Sequence, residues 1–486
     1  NTTNTNVITV NSGAYTNVRA GYTDAVKGGS DKNELTFTGT ASATNLYGGY
    51  TTGTSASAAD LKADAAAQAD AKGNTVNISG GTVNANGKIA GGYIAQNTTL
   101  ATPAASAGNA SGNTINITGG MFGGNTVIYG GYTEGTGKAT GNTVNLKADS
   151  LAMGGAFLYG GGSSGSASDV TSDNTLNVAG KDITVRGVAN FAKMNFDVSH
   201  RTAGDTLLKV TGGATGGLDW AGVEVTPKDF AFTPKTYEKR LFTLMENTAG
   251  ISFMQGTTNT YNPIGAKERT NGDFEYVIDT DNHTVNAAKY VYVDGFQFKN
   301  NQAAKFETAD GTKDAAWAGR TAVGNKVEKN TLTVMGGSLK NAYGGLVENT
   351  KRDKTTGQPL TTGDADGNTL ILKKDGANPV PTITGTGAGN AYGAEVRTKD
   401  GNATNNKAIL SAGSVAGSVY GGAVTATGAT GKATGNSVTI TGDATVGGDV
   451  YGGFAVGTGA TTGNTVNLGD GTAAGKITLA AGTASV

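Results

Sequence analysis

Residues 141–165 read "GNTVNLKADSLAMGGAFLYGGGSSG", and residues 435–459 read "GNSVTITGDATVGGDVYGGFAVGTG". Both open on Gly-Asn, alternate apolar with polar side chains, turn at glycine and reach Tyr-Gly-Gly. In the first, Val144 and Leu146 alternate with Thr143 and Asn145, the period-two pattern of a strand with one buried face. Asn-led strands of this kind recur at Asn33, Asn74, Asn113, Asn142 and Asn174, and again at Asn330, Asn368, Asn406, Asn436 and Asn464. By subtraction the intervals are 41, 39, 29 and 32 residues in the first series and 38, 38, 30 and 28 in the second. Such intervals are too long for heptads and suit a solenoid that tolerates insertions.

The Tyr-Gly-Gly element follows at Tyr47, Tyr129, Tyr159, Tyr343, Tyr420 and Tyr451, with degenerate versions at Ala90-Gly91-Gly92 and Tyr392-Gly393-Ala394. One such unit holds two or three short strands, too few to enclose a core. Stacking supplies it: each coil pairs with the next at about 4.7–4.9 Å and continues its apolar column. The fold expected is therefore all-β, a parallel β-helix. Asn tolerates turn conformations, and stacked Asn side chains form amide ladders. Tyr beside two glycines predicts an aromatic column at a corner with half-buried rings. Asn74, Asn113, Asn142, Asn174, Asn330, Asn368, Asn436 and Asn464, with the six tyrosines, are thus structural repeat residues; GxGxxG matches arise here by chance and carry no nucleotide signal.

Composition excludes more than it identifies. The chain has 486 residues, 79 Gly, 7 Pro, no Cys and only two His, His200 and His283. Without Cys there is no disulfide, thiolate metal site or cysteine nucleophile. Its 37 basic and 38 acidic residues give a net charge of -1 and no nucleic-acid footprint. No apolar run approaches the roughly 20 residues that span a bilayer, and the opening "NTTNTNVITV" lacks signal-peptide regions.

The two series are themselves a duplication. Asn368 minus Asn74 is 294, Asn406 minus Asn113 is 293, Asn436 minus Asn142 is 294 and Asn464 minus Asn174 is 290. Both ends cut through repeating material, which predicts a longer parent chain. Between the series, residues 190–300 hold 15 of the 33 aromatics. Three regions are expected: a repeat block over 1–189, an aromatic-rich β module over 190–300 that is either separate or continuous with the solenoid, and a second repeat block over 301–486. The Ala-rich stretch from Ser55 reads as a short helix on a loop, and that from Val347 as an exposed loop.

The "GNTVNI" units leading to "YGGY", the "GDTLLKVTGGATGG" from Gly204 and the Gly/Thr/Asn/Ala bias resemble the passenger regions of bacterial type V autotransporters. The resemblance covers nearly the whole chain and is compositional and architectural. It implies a right-handed parallel β-helix exported through the periplasm and anchored through an outer-membrane barrel of the parent protein. It further implies a cell-surface or secreted adhesin or stalk. It carries over no catalytic residue.

The residues themselves give chemistry little support. A β-helix lyase or glycosidase needs clustered carboxylates. Asp219, Glu224, Glu238 and Glu246, near Lys239 and Arg240, show no recognisable spacing and read as solvated or turn residues. The two histidines cannot make a structural zinc site. "DADGN" from Asp364 and "DTDNH" from Asp279 place oxygen ligands at calcium-like spacing without completing a loop. The expectation is a non-enzymatic chain without cofactor or metal. Its partner is a host or bacterial surface receptor, protein or glycan, or another copy of itself in a fibre or matrix.

Overall fold

Alternation at Thr143–Leu146 becomes a strand in which Val144 and Leu146 are fully buried and Thr143 and Asn145 stay partly exposed. The computed structural model describes residues 3–24, 28–52, 69–95, 108–165, 169–199, 201–212, 215–218, 223–226, 235–251, 269–271, 274–280, 288–294, 300–322, 324–349, 363–385, 389–469 and 478–479. These residues are all-β with mostly parallel sheets, consistent with a β-solenoid. Among them the one helical element is a single 3-10 turn, Thr308–Asp310. The stretch from Ser55, most of that from Val347, and His200, His283 and Asp219 lie outside the described residues.

The chain divides into two compact units. One comprises Asn1–Phe230, Phe242–Thr260 and Thr280–Tyr292; the other comprises Ala231–Leu241, Tyr261–Asp279 and Val293–Val486. In the first unit, the Asn-led strands make one 8-stranded sheet that includes Glu34–Phe37, Thr75–Ile78, Thr114–Ile117, Thr143–Leu146 and Thr175–Val178. Successive strands are parallel and in register, Val76 beside Ile115, Ile115 beside Val144 and Val144 beside Leu176. The longer strands Ser42–Thr51, Thr82–Ile94, Thr126–Thr133 and Ala152–Ser163 form a second parallel stack and bury Leu46, Ile89, Ile128 and Leu158. A two-residue strand such as Ala71–Lys72 or Ala110–Ser111 completes the coil.

The second unit repeats this plan with a 6-stranded sheet, five of whose strands are Asn-led and one, Ala303–Phe306, led by Gln302, and a 4-stranded sheet of two-residue strands. Its core joins Leu332, Leu370, Ala408 and Val438 to Leu339, Ile383, Val415 and Val446. Much of the variable coil length is absorbed between the long strand and the two-residue strand, for example between Thr51 and Ala71 or Val347 and Ala365, but in the coil from Asn368 it falls between Leu372 and Asn390. The aromatic-rich segment begins as further coils of the first unit. Lys193–Asp197 pairs in parallel with Thr175–Val178, and Thr206–Val210 with Ile183–Phe191.

Because Val144 is closed on all sides and Thr143 is not, a charge distinguishes the two faces. Val144→Asp is expected to cost several kcal/mol, on the order of the penalty for an unpaired buried charge that must neutralise, and Thr143→Asp about 1 kcal/mol or less. Chemical denaturation of both variants checks this; coincident midpoints would show the faces reversed.

Candidate functional site

The Asn that leads most of these strands is buried, with 0% exposure at Asn74, Asn113, Asn142, Asn174, Asn330, Asn368 and Asn436, while Asn464 at the last rung is half-buried. A buried primary amide must fill two donors and an acceptor oxygen. Asn113 does so with its neighbours. Its Oδ1 accepts from the backbone N–H of Asn74 at 2.9 Å and from Asn74 Nδ2 at 3.0 Å. Its own Nδ2 donates to Asn142 Oδ1 at 3.0 Å and to the Ala71 carbonyl at 3.0 Å. The pattern runs unbroken from Asn6 through Asn33, Asn74, Asn113 and Asn142 to Asn174. In the second unit it runs from Asn330 through Asn368, Asn406 and Asn436 to Asn464.

The glycine pairs pack against this ladder and against the backbone of the adjoining coil. A Cβ on Gly130 would lie 2.6 Å from Asn142 Cβ, and one on Gly131 2.8 Å from Asn142 Nδ2. The same collision awaits Gly91 against Asn113, Gly160 against Asn174 and Gly345 against Asn368. With inward space denied, the flanking residues face outward, and parallel register stacks them. Tyr343, Tyr392, Tyr420 and Tyr451 form one continuous stack with centroids 5.1, 4.8 and 5.1 Å apart. Trp317 is in register beside Tyr343.

The first unit has two columns where one was read from sequence. Tyr22, Tyr50, Tyr93 and Tyr132, each three residues beyond the first column, stack at 6.0, 5.0 and 5.1 Å. Tyr47 and Tyr129 meet this second column at 4.9 and 4.6 Å, and Tyr129 stacks on Tyr159 at 5.0 Å. The signal for it was present in the second Tyr of "YGGY". Burial also exceeds the half-buried expectation in places: Tyr47 is 5% and Tyr343 2% exposed, while Tyr129, Tyr159, Tyr420 and Tyr451 are half-buried. Burial pushes the Tyr47, Tyr343 and Tyr392 phenols well above their usual range. At Ala90, where a ring is missing, Lys88 reaches in. Its Nζ lies 4.9 Å from the Tyr93 ring centre, 4.7 Å from that of Tyr132 and 3.1 Å from the Tyr93 hydroxyl. That hydroxyl in turn donates to Glu134.

Within the second unit Arg320 and Glu395 stand three residues beyond the column, where the first unit has rings, and belong to a group of charges. Arg320 is fully buried. It donates to both oxygens of Asp294 at 2.8 and 3.0 Å and to Glu348 at 2.7 and 2.9 Å. Arg397 bridges Glu348, Glu395 and the Tyr343 hydroxyl. Burial opposes ionisation of Glu348, but Arg320, Lys239 and Arg397 outweigh it and hold its carboxyl well below the usual range. Sequence spacing gave no hint of this network, because its members lie on different coils.

Of the carboxylates weighed as acid-base candidates, Asp219 lies outside the described residues and the other three are placed as follows. Glu238 accepts the Lys235 backbone N–H at 2.7 Å in a local turn, and Glu246 sits on a strand in register with Lys209. Glu224 lies on the Val223–Thr226 strand. Asp364 accepts from the backbone and side chain of Asn402, and Asp366 from Thr404 and Asn405. Among the described residues no group of three or more His, Cys, Asp or Glu could hold a metal ion. No family model, curated protein or solved structure matches the chain.

Removing one rung should be felt on both neighbours. Asn142→Ala strips the acceptor from two Asn113 donors and the donor from the Ala110 carbonyl. The expected loss is about 3 kcal/mol or more, against about 1 kcal/mol for the solvent-side Asn145→Ala. Parallel urea titrations compare them; equal losses would deny the inner ladder its role.

Glu348 sets the acid response. Its folded pKa lies below its unfolded one, so its stabilisation is complete above the ordinary Glu range and is lost as pH falls from about pH 5. Glu348→Gln should cost about 1.5–3 kcal/mol at neutral pH and flatten the decline in stability between about pH 5 and pH 2. Melting midpoints across that window, identical in slope for both proteins, would rule it out.

Proposed function

We propose that the chain is a right-handed parallel β-helix from the passenger of a bacterial autotransporter, displayed outside the cell as a non-enzymatic adhesin or stalk. The single observation carrying this reading is that the distinctive side chains recur on coil after coil. Asparagine amides bond to asparagine amides and tyrosine rings stack on tyrosine rings. A catalytic centre concentrates unlike groups at one place. Here like groups are distributed, and what such a chain offers a partner is the same surface at regular intervals. Repeated weak contacts on one chain become avidity without any single tight site.

The second support is chemical. Polar side chains that could act on a substrate are already engaged with neighbouring coils, as at Asp364, Asp366 and Glu348. On this reading the parent protein is held by an outer-membrane barrel, and the partner is a receptor or glycan on a host or bacterial surface.

Beads coated with the purified chain should adhere saturably to host or bacterial cells and far more strongly than the free chain at equal mass. Incubation with a panel of polysaccharides should release no new reducing or unsaturated ends. Beads that behave like albumin-coated ones, together with product release, would replace the adhesin reading with an enzymatic one.

A further inference from the structure

The first unit carries a second amide ladder, on the outer face of the Asn-led strands, that the fold does not require. Outward positions of four successive strands form two columns, Thr75, Thr114, Thr143 and Thr175, and Asn77, Asn116, Asn145 and Asn177. No register shift interrupts them. Asn116 Nδ2 donates to Asn77 Oδ1 at 2.8 Å, Asn145 to Asn116 at 2.8 Å, Asn177 to Asn145 at 2.6 Å and Asn195 to Asn177 at 2.7 Å. In the second unit the same outward positions hold Ile371 and Ile409 on equally regular coils. Asn in the first unit is therefore not a demand of the coil.

These bonds fix the amides in one orientation, and each still has one N–H and one lone pair for an outside partner. The Thr75, Thr114 and Thr143 hydroxyls make no hydrogen bond with the described residues and add a second row of donors and acceptors beside threonine methyls. Spacing is set by the sheet: about 4.8 Å between rungs and about 6.6 Å between alternate residues of one strand. The two columns carry no charge between Glu34 and Lys193, the residues in line with the Thr column at its two ends.

We propose that this face binds ice, and that its ligand is the ordered water of an ice crystal surface. The mesh approximates the spacing of oxygen positions on a prism face of hexagonal ice. An uncharged, hydrogen-bonding lattice is complementary to a partner that is itself uncharged and periodic. Ordering the donors in advance removes much of the entropic cost of docking onto a solid. Thr at one column orients water through its hydroxyl while its methyl limits competing contacts; Asn at the other extends the pattern along the strand. The inference is independent of the adhesin reading, since neither the receptor nor the export route enters it.

The test is partition of the fluorescently labelled full chain into a slowly grown ice hemisphere, with grain growth in frozen sucrose as a second readout. The chain should enter the ice several-fold above labelled albumin and slow recrystallisation. Thr114→Tyr with Thr143→Tyr should lower both to the albumin level while the far-UV dichroism stays strand-rich. Thr331→Tyr with Ser437→Tyr, at matching positions of the second unit, should leave both unchanged. Exclusion of the unmodified chain from ice overturns the proposal whatever the variants do. Equal loss in the two double variants overturns it as well, as does adsorption to crystalline cellulose without any effect on ice.

Discussion

A primary amide enclosed by protein has more hydrogen-bonding capacity than an apolar core can satisfy, and here each coil satisfies it with a copy of itself. The inner asparagine of one coil receives two donors from its neighbour and gives one to the next. Everything around the corner follows. The amide and the backbone carbonyls of the adjoining coil leave so little room opposite them that glycine prevails there, with alanine at a few rungs such as Ala394, for reasons of space rather than backbone angle. Two inward glycines in succession turn the chain and leave the residues on either side facing outward. Parallel register then brings those residues within ring-stacking distance of their counterparts. Asparagine, glycine pair and tyrosine column are one constraint expressed at three positions.

That dependence explains what could be read without coordinates. Period-two alternation and a common leading Asn gave the Asn-led sheet, its buried face and its parallel stacking, because these depend on residues adjacent in sequence. Gly-Gly and Tyr were legible as a corner and a column for the same reason. What was missed depends on neighbours one or more coils away. The second Tyr of "YGGY" signals the second tyrosine column, but strand pairing is what stacks Tyr50, Tyr93 and Tyr132 on one another. The ion network of Asp294, Arg320, Glu348 and Arg397 has no local spacing at all. Asp364 and Asp366, whose spacing suggested an ion-binding loop, turn out to cap backbone and side-chain donors of the following coil.

The tyrosine columns also limit what kind of surface is offered. A ring stacked at about 5 Å on both sides has its faces covered, so little is left for a sugar ring to stack upon. Edges and hydroxyls remain. Where the column is interrupted at Ala90, the ammonium of Lys88 closes the gap, and burial lowers its proton affinity while Glu134 opposes that effect. Such sites consolidate the corner more readily than they invite a guest.

Near-identical coils raise a problem of addressing. If every rung matched every other, two coils could pair after slipping by one whole repeat with each amide and each ring still partnered, and the error would be energetically almost silent. The irregular residues supply the index marks. Lys88 fits only where a ring is absent at Ala90 and Glu134 lies one coil away. Arg320 fits only between Asp294 and Glu348. A slipped pairing would strand Arg320 in the interior as a lone charge, a penalty of several kcal/mol that no identical rung could impose. The departures from the repeat, rather than the repeat, tell each coil which neighbour is its own.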